Sequence, residues 1–176
     1  MSQRRLRTGI LAAFAVAFAP ALAAQEGEDE ASHDHQAMHR MHMEMMQDAM
    51  SVEYLGGRPG GPISEAVRVG HTLYLTGKLG TAPGQGLVEG GIQAETRQTL
   101  TNIGEALERY GSSMEEVVKC TVFLADMAEW GAMNEVYVEF FPAHKPARSA
   151  VGVNGLALGA RVEIECIATV GLERGS

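Results

Sequence analysis

Between residues 51 and 176, short apolar stretches typical of strands alternate with longer stretches of helical spacing. Alternating apolar residues on both sides of Gly70-His71 predict a hairpin of two short strands around a tight turn. The apolar, β-branched run from Val117 to Leu124 predicts a largely buried strand. Further strands are predicted at 52–55, 147–153 and 161–170.

Two amphipathic helices are predicted between these strands. Apolar residues recur at steps of three and four from Gly91 to Tyr110, and Gly111 follows as a residue that tolerates a left-handed cap. A second helix is predicted to open at Asp126, because Asp126 and Glu129 have capping-box spacing, and to end at Pro142. Its predicted apolar face consists of Trp130, Met133, Tyr137 and Phe140. The glycine-rich stretch 77–91 is predicted to be a loop.

This order of elements predicts an α+β fold in which both helices cover one face of a mixed sheet. No helix remains to cover the other face of that sheet. A sheet with an uncovered apolar face needs a partner surface, so we expect a homo-oligomer.

The charge of the chain is unevenly distributed. It has 22 acidic and 14 basic residues and a formal net charge of -8. Residues 1–24 carry +3, residues 25–50 carry -6 and residues 51–176 carry -5. An acidic domain is poorly suited to binding phosphate backbones, so no nucleic-acid partner is expected. No phosphate-binding loop, nucleophile elbow or metalloprotease motif is present, and no cofactor is predicted.

Residues 1–24 have the order of a secretory signal: three arginines, an apolar run and a small-residue stretch at 21–24. The apolar part is shorter than the roughly 20 residues that span a bilayer. We therefore expect cleavage near Ala24, export to the periplasm or medium, and no membrane attachment of the mature protein.

Residues 25–50 contain four of the six histidines and six of the ten methionines. On a helix, His35, His39 and His42 would share one face, and imidazole and thioether groups are ligands for copper, while imidazole also binds zinc. Because residues 25–34 have no aliphatic pattern, residues 25–50 are predicted to be a solvated, disordered linker. The alternatives are a weak copper or zinc site and a short helix that packs through a methionine stripe.

Arg148 and Glu163 are the candidate catalytic residues that the domain itself suggests. Arg148 begins a predicted strand, and its planar guanidinium is suited to bind a carboxylate through two hydrogen bonds. Glu163 lies in an otherwise apolar strand and is suited to act as a general acid or base. The alternative is a structural ion pair between them. Cys120 and Cys166 are expected to be buried free thiols, although an oxidising compartment permits a disulfide.

Three tracts of the domain resemble the RidA family, also called YjgF/YER057c/UK114. They are QAETRQTLTNIGEAL, KCTVFLADMAEWGAMNEVYVEFF and PARSAVGVNGLALGARVEIECIA. The resemblance covers about 62–170 and implies a chorismate-mutase-like fold, assembled as a homotrimer with three clefts between subunits. It also implies enamine and imine deamination.

The resemblance assigns roles to individual residues. Arg148 matches the arginine that holds the substrate carboxylate, and Glu163 matches the glutamate that positions or activates water. Asn134 matches an asparagine of the cleft, and Thr76-Gly77 match a Ser-Gly pair that lines it.

Two positions depart from the family pattern. Ile63 stands where deaminases have a tyrosine, and Ala150 stands where many members have a cysteine. The sequence thus predicts an exported trimer that hydrolyses small 2-imino or 2-enamino acids to 2-oxo acids and ammonia. The alternatives are a non-catalytic trimer that binds small carboxylates and a periplasmic metal-handling protein that acts through residues 33–50.

Overall fold

A computed structural model of the protein describes residues 35–47 and 51–171. Residues 35–47, within the segment predicted as a linker, form an α-helix, α1. The predicted signal segment 1–24 lies outside the described residues. In the part of the chain that is described, no helix is both long and apolar enough to cross a membrane.

The domain is built on one mixed sheet and two helices. The strands are β1 (Val52–Leu55), β2 (Ala66–Val69), β3 (Thr72–Leu75), β4 (Lys78–Leu79), β5 (Thr81–Ala82), β6 (Gly86–Leu87), β7 (Val117–Leu124), β8 (Ala147–Gly152) and β9 (Val162–Thr169). The helices are α2 (Gly91–Arg109) and α3 (Trp130–Tyr137), and 3-10 turns lie at Met114–Glu116, Met127–Glu129, Val138–Phe140 and Ala157–Gly159.

The main sheet has the order β1-β2-β3-β9-β7-β8, and β4 also pairs with β9. Only the β7·β8 pair of this sheet is parallel. Strands β5 and β6 form a separate two-stranded sheet. The predicted α+β class, the hairpin and both helices are therefore confirmed, whereas the stretch 77–91 contains three short strands rather than only a loop.

The core lies between the sheet and the two helices. Alternate residues of β9 are fully buried, as period-two side-chain alternation requires, and they face the apolar stripe of α2. The core residues contributed by β9 and α2 include Val162, Ile164, Cys166, Ala168, Leu100, Ile103 and Leu107. Gly111 follows α2 with a φ of 80°, a left-handed conformation that glycine adopts without steric cost.

The opposite face of the sheet carries exposed apolar side chains, as predicted. The register places Val69 of β2 and Tyr74 of β3 on the same face, with Val151 of β8 facing the same way at the far end. These side chains are 40–46% exposed, and Tyr54 of β1 is 75% exposed. No described helix covers this face, so an apolar surface is available for association.

The second helix differs in part from its predicted pattern. The Asp126 carboxylate accepts a hydrogen bond from the backbone N–H of Ala128, as expected for a helix cap. Met133 and Tyr137 are buried, but Trp130 is 41% exposed. Trp130 is therefore not a core residue, because it lies on the side of α3 that faces Arg148 rather than the interior.

Cys120 and Cys166 form a disulfide, so the expectation of free thiols is wrong. The two residues lie directly opposite each other on β7 and β9, and their Cα atoms are 4.1 Å apart. Strand pairing alone brings the two thiols within bonding reach. The sequence placed both residues in strands but did not show that these strands are neighbours in this register.

Candidate active site

Arg148 lies on β8 and reaches towards one face of α3. Its Nη1 donates a hydrogen bond of 2.8 Å to Oδ1 of Asn134. Its Cζ lies 4.5 Å from the ring centroid of Tyr137 and 5.7 Å from that of Trp130. Trp130, Asn134 and Tyr137 are spaced four and three residues apart, so a single helix face presents all three. These contacts hold the guanidinium and leave its other N–H groups available to a ligand.

Glu163 lies on β9, opposite Leu79 of β4 and Phe123 of β7. A Cβ atom built on Gly77 would lie 2.0 Å from Oε1 of Glu163. The carboxylate therefore occupies the space where the side chain of any other residue at position 77 would begin. It is half-buried and has no hydrogen-bond or ion-pair partner among the described residues.

In a single chain Arg148 and Glu163 lie on opposite faces of the sheet. Arg148 is in register with Cys120, whose side chain points into the core, whereas Glu163 is in register with Phe123 on the uncovered face. The two side chains form no ion pair with each other in the described structure, so the structural ion-pair alternative is wrong. A site that contains both groups requires a second chain.

The remaining predicted site residues divide between the same two places. Ala150 packs against the core on the Arg148 side of β8. Ile63, Thr76 and Gly77 line a cavity of about 860 Å³ at the end of the sheet. Gly77 thus lines this cavity and also contacts Glu163, which is not itself a lining residue.

A charged network closes one wall of the cavity. Glu65 accepts hydrogen bonds from Nζ of Lys78 (2.6 Å), Nη1 of Arg109 (2.7 Å) and Oη of Tyr110 (2.6 Å). Burial alone would raise the pKa of Glu65, but these three hydrogen bonds outweigh burial and lower the pKa to about 2. Gly56 packs closely against this network, because a Cβ atom there would lie 2.3 Å from Oη of Tyr110.

Comparison with known proteins decides the family. The family model described as "Endoribonuclease L-PSP" matches residues 57–170. The chain belongs to this family, which is the RidA family. A 2-iminobutanoate/2-iminopropanoate deaminase of Capra hircus is 49% identical over 112 residues, which are 63% of this chain and 82% of the goat protein.

Solved structures of the RidA family share the fold. The crystal structure of yeast Mmf1 is 35% identical with a TM-score of 0.62, and the match covers 67% of this chain and 94% of Mmf1. The crystal structure of E. coli TdcF with bound serine is 30% identical with a TM-score of 0.60, covering 68% and 96%. The α+β architecture is therefore the fold of the family.

Sequence reasoning missed several features around the RidA-like site. Trp130 was assigned to the core but is exposed. The contacts of Trp130 and of the buried Tyr137 with Arg148 were not predicted, and neither was the Lys78 network next to Gly77. The buried Tyr137 hydroxyl has no hydrogen-bond partner among the residues that the structure describes. Burial raises the pKa of Tyr137 to about 12, while the charge of Arg148 opposes this rise. The sequence signal that could have identified these contacts is the helical spacing, which puts Trp130 and Tyr137 on the same helix face as Asn134.

The predicted metal site on α1 is not formed. Across 35–47 and 51–171, no group of three histidine, cysteine, aspartate or glutamate side chains could hold a metal ion. His35, His39 and His42 do lie on one helix, but seven residues at 1.5 Å each separate the first and last by about 10 Å along the axis. Three imidazoles spaced in this way do not converge on one ion.

Proposed function

We propose that this protein is a deaminase that hydrolyses small 2-imino or 2-enamino acids to 2-oxo acids and ammonia. The observation that carries the proposal is the environment of Arg148, a guanidinium held by Asn134 and two aromatic rings with N–H groups left for a carboxylate. The deaminase name of the goat relative and the serine bound in TdcF support a small amino-acid-like ligand.

In this proposal, Arg148 binds the substrate carboxylate through paired hydrogen bonds. Glu163, a half-buried carboxylate without a protein partner, takes a proton from water as its oxygen attacks the imine carbon. Glu163 passes this proton to the imine nitrogen, which completes the carbinolamine. The carbinolamine hydroxyl then gives its proton, through Glu163, to the amino nitrogen, and the C–N bond breaks as ammonia leaves. The products are one 2-oxo acid and one ammonia per imine and water.

The proposed site lies between chains of a homotrimer. Arg148 and Glu163 face opposite sides of the sheet in one protomer, so each complete site takes Arg148 from one subunit and Glu163 from its neighbour. The exposed apolar side chains of the uncovered face, such as Tyr74, supply the surface for this association.

Ile63 and Ala150 leave the site without the tyrosine hydroxyl and the cysteine thiol of the family pattern. Ile63 is 65% exposed on the cavity wall and presents only hydrocarbon there. Ala150 offers no thiol beside Arg148. Proton transfer in the proposed reaction is therefore assigned to Glu163 and water alone. The same two residues also favour the second candidate function, a trimer that binds small 2-oxo or 2-amino carboxylates without turnover.

We propose further that the mature protein is exported, with residues 1–24 as a cleaved signal, 25–50 as a connecting segment and 51–176 as the RidA domain. The signal-like order of residues 1–24 supports export. The Cys120–Cys166 disulfide supports it independently, because such bonds persist in oxidising compartments. The relatives include a mitochondrial and a chloroplastic protein and lend no support to this location.

The test of the activity is ammonia release from 2-iminobutanoate, generated in situ by an amino-acid oxidase. Arg148→Ala should lower kcat/KM about 100-fold or more, since hydrogen bonds to a charged group contribute about 1.5–3 kcal/mol each. Arg97→Ala is the matched control, because Arg97 is an exposed arginine paired only with Glu139. No acceleration above the oxidase alone, combined with Arg148-dependent binding of 2-oxobutanoate in calorimetry, would favour the non-catalytic alternative.

Gly77→Ala is a second test, which changes no charged group. The added Cβ would displace the Glu163 carboxylate, so activity should fall while the fold persists. Gly104→Ala is its control: Gly104 lies inside α2, and a Cβ there meets the Met114 side chain at an ordinary 3.6 Å. Equal activities of the two variants would contradict the role given to Glu163.

A further inference from the structure

Two polar side chains of α2, those of Glu95 and Asn102, have no part in the proposed reaction as described so far. They are seven residues, or about two turns, apart, so they lie on the same side of the helix. Glu95 is only 6% exposed, and Asn102 is half-buried. A buried carboxylate costs free energy unless it is hydrogen-bonded, so the partners of Glu95 indicate its role.

Glu95 holds the backbone of Arg161, the residue that precedes β9. Its Oε2 accepts a hydrogen bond of 2.8 Å from the backbone N–H of Arg161, and its Oε1 lies 4.0 Å from Nε of the same residue. The carbonyl of Arg161 accepts a hydrogen bond of 3.0 Å from the backbone N–H of Ala125, which follows β7. Both backbone polar groups of Arg161 are therefore fixed, two residues before Glu163.

Asn102 holds β4, the short strand that lies opposite Glu163. Its Nδ2 donates hydrogen bonds of 2.9 Å to the carbonyls of Leu79 and Thr81. Leu79 is the register partner of Glu163, and Gly77, two residues earlier, contacts the Glu163 carboxylate. The amide of Asn102 thus fixes the stretch of backbone against which Glu163 lies.

Gly80 brings this stretch of backbone directly onto α2. A Cβ atom on Gly80 would lie 2.6 Å from the carbonyl oxygen of Glu95 and 2.8 Å from its Cα atom. Two backbones can approach this closely because glycine has no side chain. Glu95 therefore meets the connection between β4 and β5 through its backbone and the residue before β9 through its side chain.

We propose that Glu95 and Asn102 are positioning residues for Glu163. The inference rests on the proposed function, in which Glu163 is the base. Helix α2 packs on the covered face of the sheet, whereas the Glu163 side chain is on the other face, so neither residue contacts a substrate bound there. They act through the backbone: Glu95 fixes β9 just before Glu163, and Asn102 fixes the strand beside it. Together they keep the carboxylate against Gly77.

The first test is hydrolysis of 2-iminobutanoate, generated in situ, by variants of Glu95. Glu95→Met removes the acceptor at similar size and should lower kcat about tenfold to 100-fold, because misplacing a reacting group by about 1 Å can cost that much. Glu95→Gln keeps an oxygen acceptor and should restore most of the activity. Gln93→Met is the matched control, because Gln93 is on the same helix but donates to Glu135 at the surface.

Asn102→Leu tests the second residue independently. It removes both N–H donors at similar size and should lower kcat as Glu95→Met does. The affinity for 2-oxobutanoate, measured by calorimetry, should stay at the wild-type value in both variants, because the contacts of Arg148 are unchanged. A lower urea midpoint with wild-type kcat in the folded variants would mean that both residues only stabilise the fold, which overturns the proposal.

Crystal structures of the variants separate failure of this inference from failure of the proposed function. In Glu95→Met the Glu163 carboxylate should leave its place against Gly77, and in Glu95→Gln it should keep that place. This result supports the positioning role even if the wild type hydrolyses no imine. A carboxylate that stays in place in Glu95→Met overturns the positioning role while the deaminase proposal stands. If Glu95→Met does not fold, Asn102→Leu is judged by the same result.

Discussion

Two variants that are each inactive alone should recover activity when they assemble together in the proposed trimer. Arg148→Ala removes the carboxylate anchor from one face of the sheet, and Glu163→Gln removes the proposed base from the other. Because the two groups face opposite ways in one chain, a trimer that contains both variants still has clefts in which an intact Arg148 meets an intact Glu163. Activity lost in each pure variant is thus expected to return in the mixture.

The expected recovery follows from the geometry of a ring. In a heterologous trimer each cleft takes one group from each of two neighbouring subunits. In an equal, random mixture, the chance that the first subunit keeps Arg148 is one half, and so is the chance that the second keeps Glu163. About one quarter of the clefts are then intact, so the mixture should reach about 25% of wild-type activity per chain.

The assay mixes the two variants after unfolding in urea and refolds them together, with each variant refolded alone as the baseline. Imine hydrolysis is measured at equal total chain concentration. The matched control is a double variant mixed with wild type, because it carries the same two substitutions on one chain instead of on two. Activity of the mixture no higher than the separate baselines would refute the two-chain site.

Three further outcomes follow from the structure. Reduction of the Cys120–Cys166 disulfide, which closes a loop of 46 residues, should lower the free energy of unfolding by about 4 kcal/mol in urea titrations, and a variant with both cysteines replaced by alanine should not respond to the reductant. The folded pKa of Glu65, about 2, lies below its ordinary value of 4.5, so its contribution to stability is present above pH 4.5 and is lost as the pH falls towards 2. The urea midpoints of wild type and Glu65→Gln should therefore differ at pH 7 and converge over that window; a constant difference would contradict the network. Tyr137→Phe removes a buried hydroxyl that has no partner, so stability should change by less than about 1 kcal/mol, and alkaline difference absorbance should assign a tyrosine that ionises near pH 12 to this residue.

The elements of the fold were predictable from the sequence where periodicity was strong. Val117–Leu124 was predicted as a strand with the bounds that the structure has, and α2 ends one residue before its predicted end. Burial on one face dominates in both elements, so their pattern is clear. The two-residue strand β4 escaped prediction because two residues show no period, yet its pairing with β9 brings Gly77 to Glu163.

The site was less predictable than the fold because it depends on long-range pairing. The residues themselves indicated Arg148 and Glu163, but not that β7 pairs with both of their strands in a register that puts the two side chains on opposite faces. Trp130 was assigned to the core because helical spacing identifies residues on one face without saying what that face contacts. The face of α3 that carries Trp130 contacts both the core and Arg148, a charged side chain on the edge strand β8.

The disulfide, the strand register and the proposed site are parts of one arrangement. A slip of one residue between β7 and β9 would exchange the two faces of β9 and turn Glu163 into the core. Cys120 is the residue of β7 that is in register with both Cys166 and Arg148. A covalent bond at this point fixes β9 against β7 in the register that keeps Glu163 on the uncovered face, while β8 carries Arg148 on the other. The bond therefore stabilises the division of the site between two faces, the feature that makes association of the chains a requirement of the proposed chemistry.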